Sequence, residues 1–317
     1  MPNPSRPVIV RLRNWVGDVT LAVPMLQRLA DAGHDLQLIG KGWARDLLAG
    51  HGWPVHALPA GLTQRVTLLR SLRSLRPAGG RGRGIDALCL PDSFSSALEF
   101  RLAGYRALGH AWEGRSLLLG RAVPRPQGVH ELDVYWRLGS ALLGVEAPLP
   151  AAIGLRLAER HLQEADALRR RHGIEPGCIL ICPFAGGTWN QQDKTWPGFA
   201  SFAAHGLHAF GRQIVICPGP GEEARAQQQF GSALMLPGVG LGAYAALLRD
   251  AAVMVSNDTG PGHMAAAVGA PLVSVMGPSD PSLWRPWGPC CQLLGGDGQW
   301  PTAEAVAAAV ARAIATG

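Results

Sequence analysis

The sequence predicts an α/β chain of two doubly wound domains, each a parallel sheet covered by helices. Three observations carry that expectation. The chain has 317 residues, about twice a common single-domain length. Short continuous apolar runs alternate with helical stretches, and the series starts afresh at Ile179-Leu180-Ile181-Cys182. A Pro- and Ala-rich stretch, residues 144–155, separates the two series. With 47% hydrophobic and 16% charged residues, each half can bury a core of its own. The 41 glycines and 25 prolines are scattered at the ends of runs, which favours many short elements over a low-complexity linker.

In chain order, residues 8–12 form a buried strand, 19–30 a helix, 36–39 and 87–90 further strands, and 95–103 a helix. In the second series strands fall at 179–182, 213–217, 252–256 and 271–276, with helices at 196–209, 221–230 and 242–251. A charged helix at 158–172 precedes this series, and an alanine-rich helix at 302–316 closes it. Continuous apolar strands separated by helices imply parallel sheets buried on both faces. The expected domains are 1–155 and 156–317, with the carboxyl ends of both sheets at a shared cleft, where such sheets hold ligands.

The formal charge of +6 and a pI near 9.3 point to an anionic partner: a nucleotide, nucleic acid, anionic lipid or polyanionic saccharide. Arg65, Arg70, Arg73, Arg76, Arg81 and Arg83 carry much of the excess. They read either as a solvated basic face or as a surface for an acidic acceptor or membrane. Nucleic acid is disfavoured, since no aromatic-interleaved basic stripe accompanies the charge. The six cysteines show neither CxxC nor metal-ligand spacing, and several lie in apolar runs as small hydrophobes, which fits a reducing cytoplasm. Residues 1–7 have no apolar signal core, and no run of 18 apolar residues exists, so membrane contact is expected to be peripheral. There is no D-x-D and no His/Asp cluster, so neither a metal nor a cofactor is indicated.

The strongest local signal spans residues 253–267. A strand ends at Ser256, a turn Asn257-Asp258-Thr259-Gly260-Pro261-Gly262-His263 follows, and a small-residue helix begins near Gly262. Such a turn aims backbone N–H groups and the positive end of a helix at a ligand, which suits a phosphate. Asp258 cannot bind that phosphate itself. It would accept hydrogen bonds from a sugar or from its own loop, or else Asp258 or Thr259 is merely the helix N-cap. His263 reads equally as a structural helix residue.

Here the sequence resembles glycosyltransferase family 9, the ADP-heptose:lipopolysaccharide heptosyltransferases. The resemblance rests on Asp258-Thr259-Gly260-Pro261-Gly262-His263 with its alanine-rich helix and on the continuation from Gly269 to Pro281. Trp15-Val16-Gly17-Asp18 and Asp193-Lys194-Thr195-Trp196-Pro197 match in the right order. Leu90-Pro91-Asp92-Ser93-Phe94-Ser95-Ser96-Ala97 is similar to a segment of the pathway's second heptosyltransferase. The resemblance runs from residue 8 to residue 285. It implies a GT-B fold and inverting, metal-independent transfer of heptose from ADP-heptose to an anionic, lipid-linked inner-core acceptor. The work would take place in the cytoplasm, at the inner face of the membrane.

The resemblance also implies roles. Asp18, in the strand-to-helix loop beside Gly17, is the expected general base, a role worth about 10²–10⁴ in rate. A helix N-terminus would favour its ionised form by roughly 0.3–1 kcal/mol, leaving it weakly basic; the alternative is a simple N-cap. Lys194 would neutralise the donor phosphates, with Gly187 and Thr188 in the same loop, although that loop departs from its relatives in length and composition. The alternative is a solvated lysine. Glu222 would take the ribose hydroxyls, with Glu223 an equal candidate and a plain first-turn glutamate the other reading. Val239 would line the base pocket or else belong to the core. Asp258, Thr259, Gly260, Pro261 and His263 complete the donor set. Ser93, Arg115 and Arg137, with Arg121 and Arg125, would hold an anionic saccharide such as Kdo–lipid A, unless they are ordinary surface residues. Three other functions stay open: a family 9 transferase with another sugar nucleotide or acceptor, a 2-epimerase-like isomerase, and a silent nucleotide-binding relative.

Overall fold

Two parallel sheets, each with six strands, organise the computed structural model, which describes residues 6–75 and 84–316. The chain separates into two units: Met1–Leu48 with Gly52–Pro150, and Ala151–Gly317 with the short insert Ala49–His51. In the first unit the strands are β1 (Arg6–Arg11), β2 (His34–Gly40), β3 (Val55–Ala57), β4 (Ala87–Cys89), β5 (Ala107–Ala111) and β6 (Arg121–Pro124). They lie in the order β3-β2-β1-β4-β5-β6. The second unit contains β7 (Ile179–Cys182), a small antiparallel hairpin of β8 (Thr188–Trp189) and β9 (Gln192–Asp193), then β10 (Ile214–Ile216), β11 (Leu234–Met235), β12 (Val253–Asn257), β13 (Leu272–Met276) and β14 (Cys291–Gly295). Its sheet order is β11-β10-β7-β12-β13-β14.

Within each unit, then, the chain winds outward from a first strand, returns, and winds outward on the other side. The order reverses between β1 and β4, and again between β7 and β12. In open α/β sheets the crevice outside the carboxyl ends at such a switch point is where ligands bind.

The sequence explains why these elements form. Val8, Ile9 and Val10 of β1, and Val253, Met254 and Val255 of β12, are buried on both faces, as strands covered by helices on each side require. The helix Val16–Asp31 buries Leu21, Met25, Leu26 and Leu29. The helices Glu131–Leu143 and Glu159–His172 stop at Gly144 and Gly173, whose positive φ of 71° and 62° gives left-handed caps that side chains with a Cβ resist. In the second core Trp196 packs edge-on against Phe199, and Phe199 against Phe230.

Several expectations change. The first helix begins at Val16, so Asp18 lies in its first turn rather than in a loop. The helix expected over 196–209 is broken into an α-turn Phe199–Ser201, a π-turn Phe202–Gly206 and a 3₁₀ turn Leu207–Phe210. Pro197-Gly198 at its start and Gly206 within it are poor helix formers, which accounts for the interruption. The loop after β7 contains a hairpin whose tip residues Asn190 and Gln191 both have positive φ, the geometry of a type I′ turn.

Candidate active site

At the switch point of the first sheet, the loop after β1 supplies Arg13 and the following helix supplies Asp18. The loop after β4 supplies Asp92. The helix Glu131–Leu143, N-capped by the His130 ring, supplies Glu131 and Tyr135, one turn apart on one face. Tyr135 Oη donates to Asp18 Oδ1 at 2.7 Å, and Arg13 Nε lies 3.8 Å from the same oxygen. The Arg13 guanidinium donates to Asp92 Oδ2 and approaches Glu131 Oε1 at 3.4 Å. Arg125 bridges the two acids, 3.3 Å from Asp92 and 2.7 Å from Glu131.

Three carboxylates thus share two guanidinium groups, and the surplus negative charge falls on Asp18. Burial lifts the Asp18 carboxyl above the ordinary aspartate range. Arg13 and the Tyr135 hydrogen bond pull it back, while Glu131 pushes it further up. Arg13 does not prevail because its charge is also engaged by Asp92 and Glu131. The weakly basic aspartate expected from a helix N-terminus is therefore corrected: burial makes Asp18 a stronger base than an exposed carboxylate.

At the switch point of the second sheet, the loop after β7 supplies Lys194 and the loop after β12 supplies Asp258. Lys194 Nζ donates to the Asp258 carbonyl at 2.9 Å and to its Oδ2 at 3.2 Å. Ser279, fully buried in the turn after β13, donates to that same Oδ2 at 2.6 Å. Asn257 ties the two loops together. Its Oδ1 accepts from the Trp196 amide at 2.9 Å and its Nδ2 donates to the Pro183 carbonyl at 2.7 Å. The Lys194 ammonium and the N-terminus of the helix Gly260–Ala267 form the positive side of this site. Thr259 is the N-cap by backbone geometry but its hydroxyl makes no cap bond, while Pro261 fills the first turn. Gly262 is packed so closely that a Cβ would come within 3.1 Å of Ser256 Oγ. His263 is buried, with Nε2 3.9 Å from Asp258 Oδ1.

Other sequence candidates fall in varied places. Gly17 is in the first turn of the Asp18 helix, while Gly187 and Thr188 are exposed at the start of the hairpin. Glu222 and Glu223 each accept from an amide of their own loop, Gly219 and Gly221, both at 2.8 Å. Val239 is half-buried between β11 and the helix Leu241–Arg249. Ser93 is the N-cap of the helix Phe94–Ala103 and accepts from the Ser96 amide. Arg115, expected on an acceptor surface, is fully buried and donates to the Pro91 carbonyl, so it braces the Asp92 loop from beneath. Arg137 is 55% exposed and forms a bidentate pair with Asp133 one turn away.

Of the basic stretch, Arg65 is half-buried and Arg70 and Arg73 are exposed, yet all three are tied to neighbouring groups. Arg65 pairs with Glu99 at 2.7 Å, and Arg70 and Arg73 donate to the carbonyls of Leu102 and Ala103, latching the helix Leu62–Leu72 to its neighbour Phe94–Ala103. Arg76, Arg81 and Arg83 lie outside the described residues. Sequence reasoning had not singled out Arg13, Glu131, Tyr135 or Ser279. It gave no role of their own to the exposed apolar side chains that follow β1, β4 and β5: Trp15 (65% exposed), Phe94, Trp112 and Leu117 (90%). Burial pushes the Cys182 thiol up to about 12 and raises Cys217 further, so these two are held as thiols. Among the described residues, no group of three or more His, Cys, Asp or Glu could hold a metal ion, and no helix is long and apolar enough to cross a membrane.

The sequence model of glycosyltransferase family 9 (heptosyltransferase) matches residues 84–311. The chain belongs to glycosyltransferase family 9. The match takes in Asp92, Tyr135, Lys194, Asp258 and Ser279, and begins after Asp18. This family 9 chain is 32% identical over 125 residues to lipopolysaccharide heptosyltransferase 3 of Escherichia coli, covering 36% of this chain and 35% of that protein. It is 30% identical over 182 residues to lipopolysaccharide heptosyltransferase 1 of Pseudomonas aeruginosa, covering 56% and 48%. The chain thus spans about a third to a half of the length of these curated relatives. The solved structure of the E. coli ADP-heptose lipopolysaccharide heptosyltransferase II superposes with a TM-score of 0.79 at 23% identity, over 98% of this chain and 99% of that one. The fold is GT-B, two Rossmann-like units with the strand orders given above.

Proposed function

We propose that this family 9 chain transfers heptose from ADP-heptose to a lipopolysaccharide inner-core acceptor, with inversion and without a metal ion. The first unit would bind the acceptor and the second the donor. The observation that carries this reading is the pairing of opposite chemistries at equivalent places: a buried, basic carboxylate at one switch point and an ammonium beside a helix N-terminus at the other. Displacement at an anomeric carbon needs both, a proton acceptor and compensation for a departing diphosphate.

In the proposed step the acceptor hydroxyl loses its proton to Asp18 as its oxygen bonds to the anomeric carbon. The bond from that carbon to the diphosphate breaks on the opposite face, and ADP leaves with the electron pair. Lys194 and the amides opening the helix Gly260–Ala267, with Thr259 and the Gly187–Thr188 loop, would receive the growing negative charge. Gly17 would lie against the reacting centre. Asp258 serves chiefly to hold Lys194, with Ser279 keeping its carboxylate in place, and His263 supports the same loop. Glu222 would take the ribose hydroxyls and Val239 the base.

The acceptor would meet the first unit at Ser93 and at the exposed Trp15, Phe94 and Trp112. Aromatic faces suit the apolar side of a sugar ring, and apolar tips suit a lipid-linked substrate at the cytoplasmic face of the membrane. Arg125 and Arg137 would supply positive charge. The donor named for the E. coli relative, ADP-heptose, supports the choice of nucleotide. Calorimetry with ADP, GDP and UDP tests the donor site. ADP should bind at least tenfold more tightly than the others, about 1.4 kcal/mol. No binding of any of the three would overturn the assignment.

A further inference from the structure

Asp18 and Tyr135 are 117 residues apart in sequence, yet the phenol oxygen sits 2.7 Å from Asp18 Oδ1. Tyr135 is fully buried in the helix Glu131–Leu143, with the Arg13 guanidinium 5.8 Å from its ring centroid. Tyr135 Oη and Arg13 Nε both address Oδ1 of the Asp18 side chain, and the Asp18 backbone amide is a further donor to the carboxylate. We infer that Tyr135 is a positioning residue for Asp18, its hydroxyl anchoring Oδ1 so that Oδ2 is the oxygen turned to the acceptor hydroxyl. The inference rests on the reading of Asp18 as general base.

The geometry gives the anchor a physical advantage over a salt bridge alone. Arg13, shared with Asp92 and Glu131, has its Nε 3.8 Å from Oδ1, beyond hydrogen-bond reach, whereas the phenol at 2.7 Å makes a directional hydrogen bond to that oxygen. Tyr135 stays protonated, because burial first, and then the adjacent Asp18 charge, raise its own ionisation well above the ordinary phenol value, and so it donates to the Asp18 carboxylate. It transfers no proton. The proton of the acceptor hydroxyl goes to Oδ2, and the Tyr135 O–H bond stays intact throughout. The charged and titratable groups facing Asp18 are Arg13 from the loop after β1 and Glu131 and Tyr135 from the helix beside it. Of these, Arg13 and Tyr135 favour the ionised carboxylate and Glu131 opposes it.

The test compares pH–rate profiles for ADP-heptose and Kdo–lipid A. In Tyr135→Phe, kcat should fall about tenfold, the loss typical of one hydrogen bond to a charged group. Its acidic limb should move to higher pH, with ADP affinity and acceptor KM within about twofold of wild type. Fluorotyrosine placed at position 135 keeps the shape and donates more strongly, so its acidic limb should move to lower pH. This second variant decides the matter should Tyr135→Phe fold poorly. Limbs that stay put in both variants overturn the inference, even where Asp18→Asn is inactive. Turnover retained in Asp18→Asn would instead overturn the general-base reading itself, and the inference with it.

Discussion

At the switch point of the first sheet, Asp92 from the loop after the fourth strand holds Arg13 from the loop after the first. At the switch point of the second, Asp258 holds Lys194 from the same two positions of the winding. The two halves therefore repeat one device, a cation clamped by an aspartate across the crevice, and then diverge. In the first unit Glu131 and Asp18 join the pair, so acids outnumber cations and burial raises the basicity of Asp18. In the second, a neutral serine and a backbone carbonyl join the pair, with the His263 ring 3.9 Å from the aspartate, so one ammonium faces one carboxylate. On the proposed reading, one arrangement of strands would serve as a proton acceptor in one half and as an anion receptor in the other, by changing which groups surround the clamp.

The sharpest way to break the comparison is to remove the surplus acid. Asp18→Asn should lower kcat by about 10²–10⁴ while leaving ADP binding intact. It should also keep or raise the melting temperature near neutral pH. The sign follows from the raised carboxyl: folding favours its protonated form, so this group contributes stability below its unfolded pKa and loses it as pH rises through the folded one. An amide carries no such cost, and its advantage should vanish on acidification. Thermal melts from pH 4 to 8 check this, and a large loss of stability in Asp18→Asn at neutral pH would contradict it.

Next in size is the cation. Lys194→Met should weaken ADP binding about ten- to a hundredfold, the worth of a hydrogen bond to a charged group. It should also destabilise the fold, because Asp258 would keep a buried charge without its ammonium partner, with Ser279 and the His263 ring beside it. Calorimetry and denaturant unfolding separate the two effects. Unchanged ADP affinity would return Lys194 to a structural role. The smallest effect belongs to Ser279→Ala, which removes one of the donors to Asp258 and should cost about 1 kcal/mol of stability, with a few-fold loss of ADP affinity through a looser Lys194.

The fold was legible because its central strands are continuous apolar runs ending in polar turns, and β7 occupies the residues expected. The edge strands β3, β6, β11 and β14 were not, since short, largely exposed runs such as Arg121–Pro124 lack the apolar continuity of a central strand, and neither was the inner strand β5, whose apolar run is broken by Gly109 and His110. The same division holds at the sites. Asp258 sits directly at the end of β12, where the Gly-rich turn announces it, whereas Asp18 and Lys194 were reached through the family resemblance of the segments that carry them. Tyr135 and Ser279 act on them from another helix and another turn, and a tyrosine in an amphipathic helix or a serine after Gly-Pro carries no local sign of its partner. Arg115 shows the converse: an arginine in a polar-looking stretch is fully buried and donates to the Pro91 carbonyl.

Product analysis tests the central claim most directly. With ADP-heptose and Kdo–lipid A, the chain should release ADP and form heptosylated acceptor one for one, and leave ADP-heptose unchanged when the acceptor is withheld. A sugar nucleotide altered in the absence of acceptor, or no product with it, would contradict the proposed transfer.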